Sequence, residues 1–268
     1  MSLFGKLFGS GKPATAPPAA IAMPDFTVDR ARMFDLVLTQ RLQALVAMPV
    51  RDDAWYPAFF AALWNASIAL PSQAPFVGPD GFPYLRLDIP AEGAFDSNSL
   101  ANLARNCADS GWGAALFPSP DAHDPAYVLP MGALDSLLRF GDWRGDPIDL
   151  AEQQGPPLSG AVRLKAGAQV LTGAPSPDYL SRAAARALDA YLKCEWKLAA
   201  PRVMLMSNTS LRPSRSLVLN VRRADFGTEE AAADFCHRVI WFLPPSRVVT
   251  LLPDGWSEDQ LFPLARIY

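Results

Sequence analysis

The chain has 268 residues, half of them hydrophobic and 19% charged, which is enough apolar surface for two modest cores and argues against general disorder. Its net charge of −3, with no Lys/Arg run, works against binding a phosphate backbone and so against a nucleic-acid partner. No apolar run approaches the ~18 residues that span a bilayer, which excludes an integral membrane segment.

The opening MSLFGKLFGSGKP lacks the sustained apolar stretch of a secretory signal. Leu3, Phe4, Leu7 and Phe8 form an LFxxLF pattern that offers a docking peptide for a partner or a membrane surface; the plainer reading is a frayed tail. The Pro- and Ala-rich stretch Ser10 to Pro24 comes next, so residues 1–24 are expected to be a flexible tail. From Asp25, Thr27 can cap a helix whose Phe34, Val37, Leu38, Leu42, Leu45 and Val46 keep helical spacing as far as Pro49.

In WYPAFFAALWN, with Asp52 and Asp53 ahead of it, the spacing predicts a second helix that turns Phe60, Leu63 and Trp64 inward. That leaves Trp55, Tyr56 and Phe59 at the edge, where an interface could use them. Ala66 to Leu70 and Tyr84 to Ile89 alternate as strands, the second with Arg86 and Asp88 opposite Leu85, Leu87 and Ile89. Leu100, Leu103, Ala104 and Cys107 mark a helix closed by Gly111, followed by strands at Gly113 to Phe117 and Tyr127 to Leu129 and a helix from Met131 to Phe140. The segment 141–160 is rich in Gly, Pro and acid and reads as a connection, dividing the chain into domains 25–155 and 156–268. Charge agrees with a division there: residues 1–160 hold 10 basic and 17 acidic side chains, and the remainder holds 14 and 10.

The second half starts with a strand between Ala161 and Leu171, and Ser176-Pro177-Asp178 opens a helix carrying Leu180, Ala184, Ala187, Leu188 and Tyr191. Strands are expected at Val203 to Ser207, Leu217 to Val221 and Val248 to Leu252. A helix begins at Thr228-Glu229-Glu230 and is ended by Pro244-Pro245, and a short one starts at Ser257. This order predicts an α+β fold: two small domains, each a mixed or antiparallel sheet with helices packed on it.

No residue set announces a reaction. Cys107, Cys194 and Cys236 each sit in an apolar helical stripe, and an odd count without a pairing motif suits a reducing, bacterial-type cytoplasm. His237 comes directly after Cys236 and so points about 100° away from it on a helix, too far around for a nucleophile–base pair. His123 with Asp121 and Asp124 is the one loop set that a hydrolase or transferase could use, and a solvated loop is the plainer reading. No phosphate loop, G-x-S-x-G elbow or H-E-x-x-H helix is present, so no catalytic residue, metal or cofactor is assigned. Arg212 and Arg215 in NTSLRPSRS, with Arg222, could instead bind a small anion or an acidic partner.

GAQVLTGAPSPDYLSRAAARALDAYLKCEWKLAAPRVMLM, then SLVLNVRR, a Thr-Glu-Glu helix, VVTLLPDG and LFPLARIY, resembles the C-terminal domain of the SseB-like (enhanced serine sensitivity) family. PAFFAALWNASIALP is similar to the helix and first strand of that family's N-terminal domain. The chain departs from the family where VLPMGALDSLL replaces a phenylalanine-threonine-serine stretch, and in its extra tail. The resemblance implies a cytoplasmic bacterial accessory protein without an established reaction, and with it the expectation of a non-catalytic protein acting through an unknown protein partner.

Overall fold

The computed structural model describes residues 35–91, 95–153, 169–209 and 211–267. The expected tail, the helix start at Thr27 and most of the strand expected from Ala161 lie outside them. The fold is α+β: among the described residues there are seven α-helices and two mixed sheets, of six and five strands. The chain forms two compact units, Met1–Pro130 and Met131–Tyr268.

In the first unit, α1 (Leu36–Ala47) is capped by Asp35, whose carboxylate accepts the Leu38 amide at 2.9 Å. Its inward face is Thr39 and Leu42, with Leu38, Leu45 and Val46 half-buried. Val37, expected inward, is 74% exposed because it lies five residues from Leu42, about 140° around a helix of 3.6 residues per turn. In α2 (Trp55–Asn65) the buried stripe is Trp55, Phe59, Phe60, Ala62 and Leu63. Trp55 and Phe59 are therefore core residues rather than the edge expected of them, while Trp64 is half-buried. Their i, i+4 spacing stacks the two rings at 4.4 Å, and Tyr127 packs 4.7 Å from Phe59.

The sheet of this unit runs β4 (Ser97–Asn98), β1 (Ile68–Ala69), β3 (Pro83–Asp88), β5 (Gly113–Phe117), β6 (Tyr127–Leu129), with β2 (Phe76–Val77) also paired to β3. β1 and β3 are antiparallel, and β3 and β5 are parallel across α3 (Leu100–Ser110), which Gly111 ends at φ 73°. All five residues of β5 are buried, as suits a central strand covered on both faces. Gly113 is needed there because a Cβ would sit 2.6 Å from the Tyr84 ring.

The second unit starts with α4 (Met131–Phe140), and here the division differs from the one expected near Gly155. The Gly132 amide donates to the Trp241 carbonyl at 3.0 Å, and Ser136 Oγ donates to the Asp142 carbonyl, so α4 and the segment after it belong to the second half. Within the supposed connection lies a further helix, α5 (Pro147–Glu152). Next come β7 (Leu171–Gly173) and α6 (Arg182–Cys194), capped by Ser181. The predicted start at Ser176 is instead a turn, with the Tyr179 and Leu180 amides both donating to the Ser176 carbonyl. The sheet order is β10 (Val249–Leu251), β9 (Arg215–Leu219), β8 (Arg202–Ser207), β11 (Phe262–Pro263), with β7 also on β8. β8 and β9 are antiparallel; β9 and β10 are parallel across α7 (Glu229–Ile240).

Side chains alternate across this sheet, so Met204, Met206 and Val218 cluster with Leu252 and Leu261 on one face while Val203, Leu217 and Leu219 are buried on the other. Both units thus share one pattern: helix, two antiparallel strands, helix, and a strand parallel to the second. It reads α2–β1–β3–α3–β5 in the first and α6–β8–β9–α7–β10 in the second. The close approach of α4 to the chain after α7 gives a test of the second core. A Cβ on Gly132 would run into the Leu243 backbone, which cannot rotate aside. Gly132→Ala should lower stability by about 1–3 kcal/mol despite the better helix propensity of alanine, read as a lower urea midpoint.

Candidate functional site

The three arginines expected to act together do not converge. Arg222 reaches the Pro253 and Trp256 carbonyls, at 3.0 and 2.7 Å, and holds that loop. Arg212 is exposed and donates to the Thr209 and Leu211 carbonyls of its own turn. Arg215 alone turns inward, to Asp149. In the first unit Tyr56 is half-buried beside Trp55, with ring centroids 5.2 Å apart. Asp121, His123 and Asp124 are each exposed. Burial pushes the Cys107 thiol up to about 12 and that of Cys236 to about 11, far from a nucleophilic thiolate. Among the described residues, no group of three His, Cys, Asp or Glu is gathered to hold a metal ion.

A different set is concentrated at the entry to β9 and β10. The sequence repeats the tripeptide Pro-Ser-Arg, at Pro213-Ser214-Arg215 and Pro245-Ser246-Arg247. Because β9 and β10 are parallel with Leu217 opposite Val249, the two tripeptides enter side by side, 32 residues apart in sequence. The Leu217 amide donates to the Val248 carbonyl at 2.8 Å and fixes that register. Each serine–arginine pair takes hold of α5. Ser246 meets both ends of the helix: its Oγ accepts the Asp146 amide at 3.1 Å, and its carbonyl accepts the Gln153 side chain at 2.8 Å. The Ser214 amide donates to the Glu152 carboxylate at 2.7 Å.

Between them the guanidiniums share two carboxylates. Arg247, whose side chain is fully buried, donates to Asp149 and, at 3.2 Å, to Asp146. Arg215 donates to the other oxygen of Asp149 and lies 3.6 Å from Asp146. Two positive and two negative charges therefore balance in a site that excludes most water. The Tyr179 ring lies 3.9 Å from the Arg247 guanidinium and 5.1 Å from that of Arg215. Arg247 Nε and Nη2 donate to the Tyr179 and Asp178 carbonyls, each at 3.1 Å, so two of its nitrogens are held by groups outside α5.

Local sequence explains how α5 presents its acids. Asp146 is the N-cap, accepting the Ile148 amide at 2.9 Å, and Pro147 occupies the first turn. Asp146, Asp149 and Glu152 recur every third residue and so lie along one side of the helix. Gly145, at φ 142°, lets the chain pass against Ser246, where a Cβ would collide with that side chain. Beyond the buried pair, Ala151, Glu152, Thr209, Arg212 and Ser214 line an open polar depression of about 440 Å³.

The charged forms of Asp146, Arg215 and Glu152 are favoured. Burial works against ionisation of Asp146, but the Ile148 amide with Arg247 and Arg215 outweighs it and holds the carboxyl below its usual 3.8. Burial also opposes the charge on Arg215, and Asp149 more than restores it. The Ser214 amide, then its hydroxyl, holds the Glu152 carboxyl low. Burial raises the Tyr179 phenol first of all, and Asp149 adds to it, so the ring stays neutral. What this arrangement can do is recognise paired carboxylates through oriented guanidiniums.

The repeated Pro-Ser-Arg and the Asp-x-x-Asp of α5 were readable in the sequence, but the contacts join residues 66 and 98 positions apart, which no local pattern reports. Removing one partner of a buried pair strands the other. Asp149→Asn should cost about 3–5 kcal/mol in denaturant unfolding, whereas Asp142→Asn, which breaks the more exposed pair with Arg144, should cost less than about 1 kcal/mol. Because the folded-state pKa of Asp146 is depressed, its contribution is present above pH 3.8 and lost as the pH falls through the lower folded value. Asp146→Asn should flatten that acid limb of the stability curve. No family model, curated protein or solved structure matches the chain, and the functional reading rests on this geometry and the sequence.

Proposed function

We propose that this is a non-catalytic cytoplasmic accessory protein that acts by binding other proteins, the role implied by its SseB-like resemblance. The carrying observation is exposed apolar surface at both ends of α1. Leu36 and Val37 are 52% and 74% exposed in its first turn, and Met48 and Val50 are 46% and 67% exposed just beyond its end. α1 is thus apolar where it faces its own unit, at Leu42, and apolar again where it faces away. A single exposed leucine or valine is ordinary, but several around one short helix are what an interface uses. A helix long and apolar enough to cross a membrane is not found among the described residues.

This reading is preferred to catalysis at Asp121, His123 and Asp124 because those side chains are exposed on a loop, without the enclosure that tunes an acid or base. It is also preferred to a small-anion site made by Arg212 and Arg215 together, since Arg212 turns to the carbonyls of its own loop while Arg215 turns inward, so the two do not converge. The double variant Val37→Asp/Val50→Asp should leave the circular dichroism spectrum unchanged. It should reduce recovery of partners crosslinked to the chain in extracts of its source cells by at least about tenfold, the equivalent of about 1.4 kcal/mol. Equal recovery of the same partners by a folded double variant would overturn the assignment.

A further inference from the structure

We infer that the two Pro-Ser-Arg arms form a receptor for an acidic peptide segment of a partner, and that α5 occupies it as an internal stand-in; this rests on the protein-binding reading and names the partner's chemistry. Three observations carry it.

The first is how α5 is held. Of its six residues only Asp149 is buried, while Ile148, the large aliphatic side chain of its first turn, is 59% exposed. A structural helix in a globular unit normally docks through an apolar stripe. This one docks through carboxylates and the polar ends at Asp146 and Gln153. Such contacts can be exchanged for equivalent ones from another chain.

The second is that much of the receptor has supports outside α5. Arg247 is held by the Asp178 and Tyr179 carbonyls and by the Tyr179 ring, Arg215 extends from β9 with that ring 5.1 Å from its guanidinium, and the parallel register sets the two backbones side by side. The fully buried Arg247 guanidinium cannot remain without an anion, because an uncompensated charge in a dry site is strongly unfavourable, and the partly exposed Arg215 adds a second positive charge beside it. Departure of α5 therefore demands a replacement of the same charge. The third is an unused donor in the same cluster: the Tyr179 hydroxyl is buried and has no hydrogen-bond partner among the described residues. A hydroxyl left unpaired beside paired arginines marks a place where the internal segment does not use every group on offer.

The recognised chemistry is set by α5 itself: carboxylates three residues apart in a short helical turn, with a third that reaches the Ser214 amide at the rim of the polar depression. An acidic peptide able to form that turn matches the site in both charge and spacing. Inorganic phosphate supplies charge but cannot bridge both arms with separate acids.

The test uses the full chain and a fluorescein-labelled peptide GDPIDLAEQ, copied from residues 145–153. In the variant Asp146→Asn/Asp149→Asn/Glu152→Gln the internal ligand loses its charge, and fluorescence anisotropy should show at least about tenfold tighter peptide binding than the wild type shows. Binding should weaken as salt rises and disappear when both peptide aspartates are replaced by asparagine. A variant with native near-ultraviolet dichroism that binds no better than the wild type would overturn the proposal, as would equal displacement of the peptide by phosphate.

Should the triple variant fail to fold, hydrogen exchange on the wild-type chain decides. Saturating peptide should speed exchange at the Leu150 and Gln153 amides, which close the α5 turns onto Asp146 and Asp149, while β8 and β9 stay protected. Unchanged protection in α5 would overturn the proposal. Neither measurement needs a cellular partner or the surface of α1, so failure here and failure of the protein-binding reading can be told apart.

Discussion

The fully buried guanidinium of Arg247 is the constraint around which the second unit is arranged. A charge with no access to water must be met by opposite charge and oriented acceptors, and four groups provide them: Asp146, Asp149 and the carbonyls of Asp178 and Tyr179. Those groups lie on the approach to α5, on α5 itself and on the turn before α6. Satisfying one side chain therefore ties together segments from across the unit. It also explains why the acidic, Gly- and Pro-rich stretch after α4 is not a simple linker: its aspartates are the counter-ions of an arginine that enters the sheet about a hundred residues later.

Local order was legible where periodicity and punctuation agreed. The strands at Gly113–Phe117 and Tyr127–Leu129 and the helix Met131–Phe140 have the bounds expected from apolar spacing, and Gly111 ends α3 in the left-handed conformation its position requires. The aromatic helix α2 was harder, because aromatic residues on several sides leave more than one candidate apolar face. What selects the face of Trp55 and Phe59 is Tyr127, from a strand near the end of the unit, which packs against both rings. Tertiary contact settled a choice that spacing alone left open.

The candidate site was legible only in part. Arg215 stood out as a basic residue in a polar loop, but Arg247, in PPSRVV, has the sequence context of a strand entry and carries no local sign of an ion pair. α5 gave still less: with one turn of acids and no repeated apolar position, it lacks the pattern by which helices are recognised. Its structure depends on Asp146 as cap, Pro147 in the first turn and the fixed arginines beyond. The first two are local signals, and the third exists only after the strands have paired.

Comparison of the two units shows that their common topology does not require this cluster. In the first unit the positions two residues ahead of the Tyr84–Gly113 register pair are Phe82 and Gly111, an aromatic side chain buried in the core and a helix-ending glycine. In the second, the positions two residues ahead of Leu217 and Val249 are Arg215 and Arg247. One unit closes the mouth of its parallel strand pair with apolar packing, Tyr84 lying over Gly113; the other does so with four charges. Replacing buried ion pairs by well-packed apolar groups is commonly neutral or stabilising, so stability alone gives little reason to keep two arginines and two aspartates at this mouth. Recognition of charge gives one, because an apolar plug holds its place by shape while an arginine pair accepts any segment that brings the right acids at the right spacing.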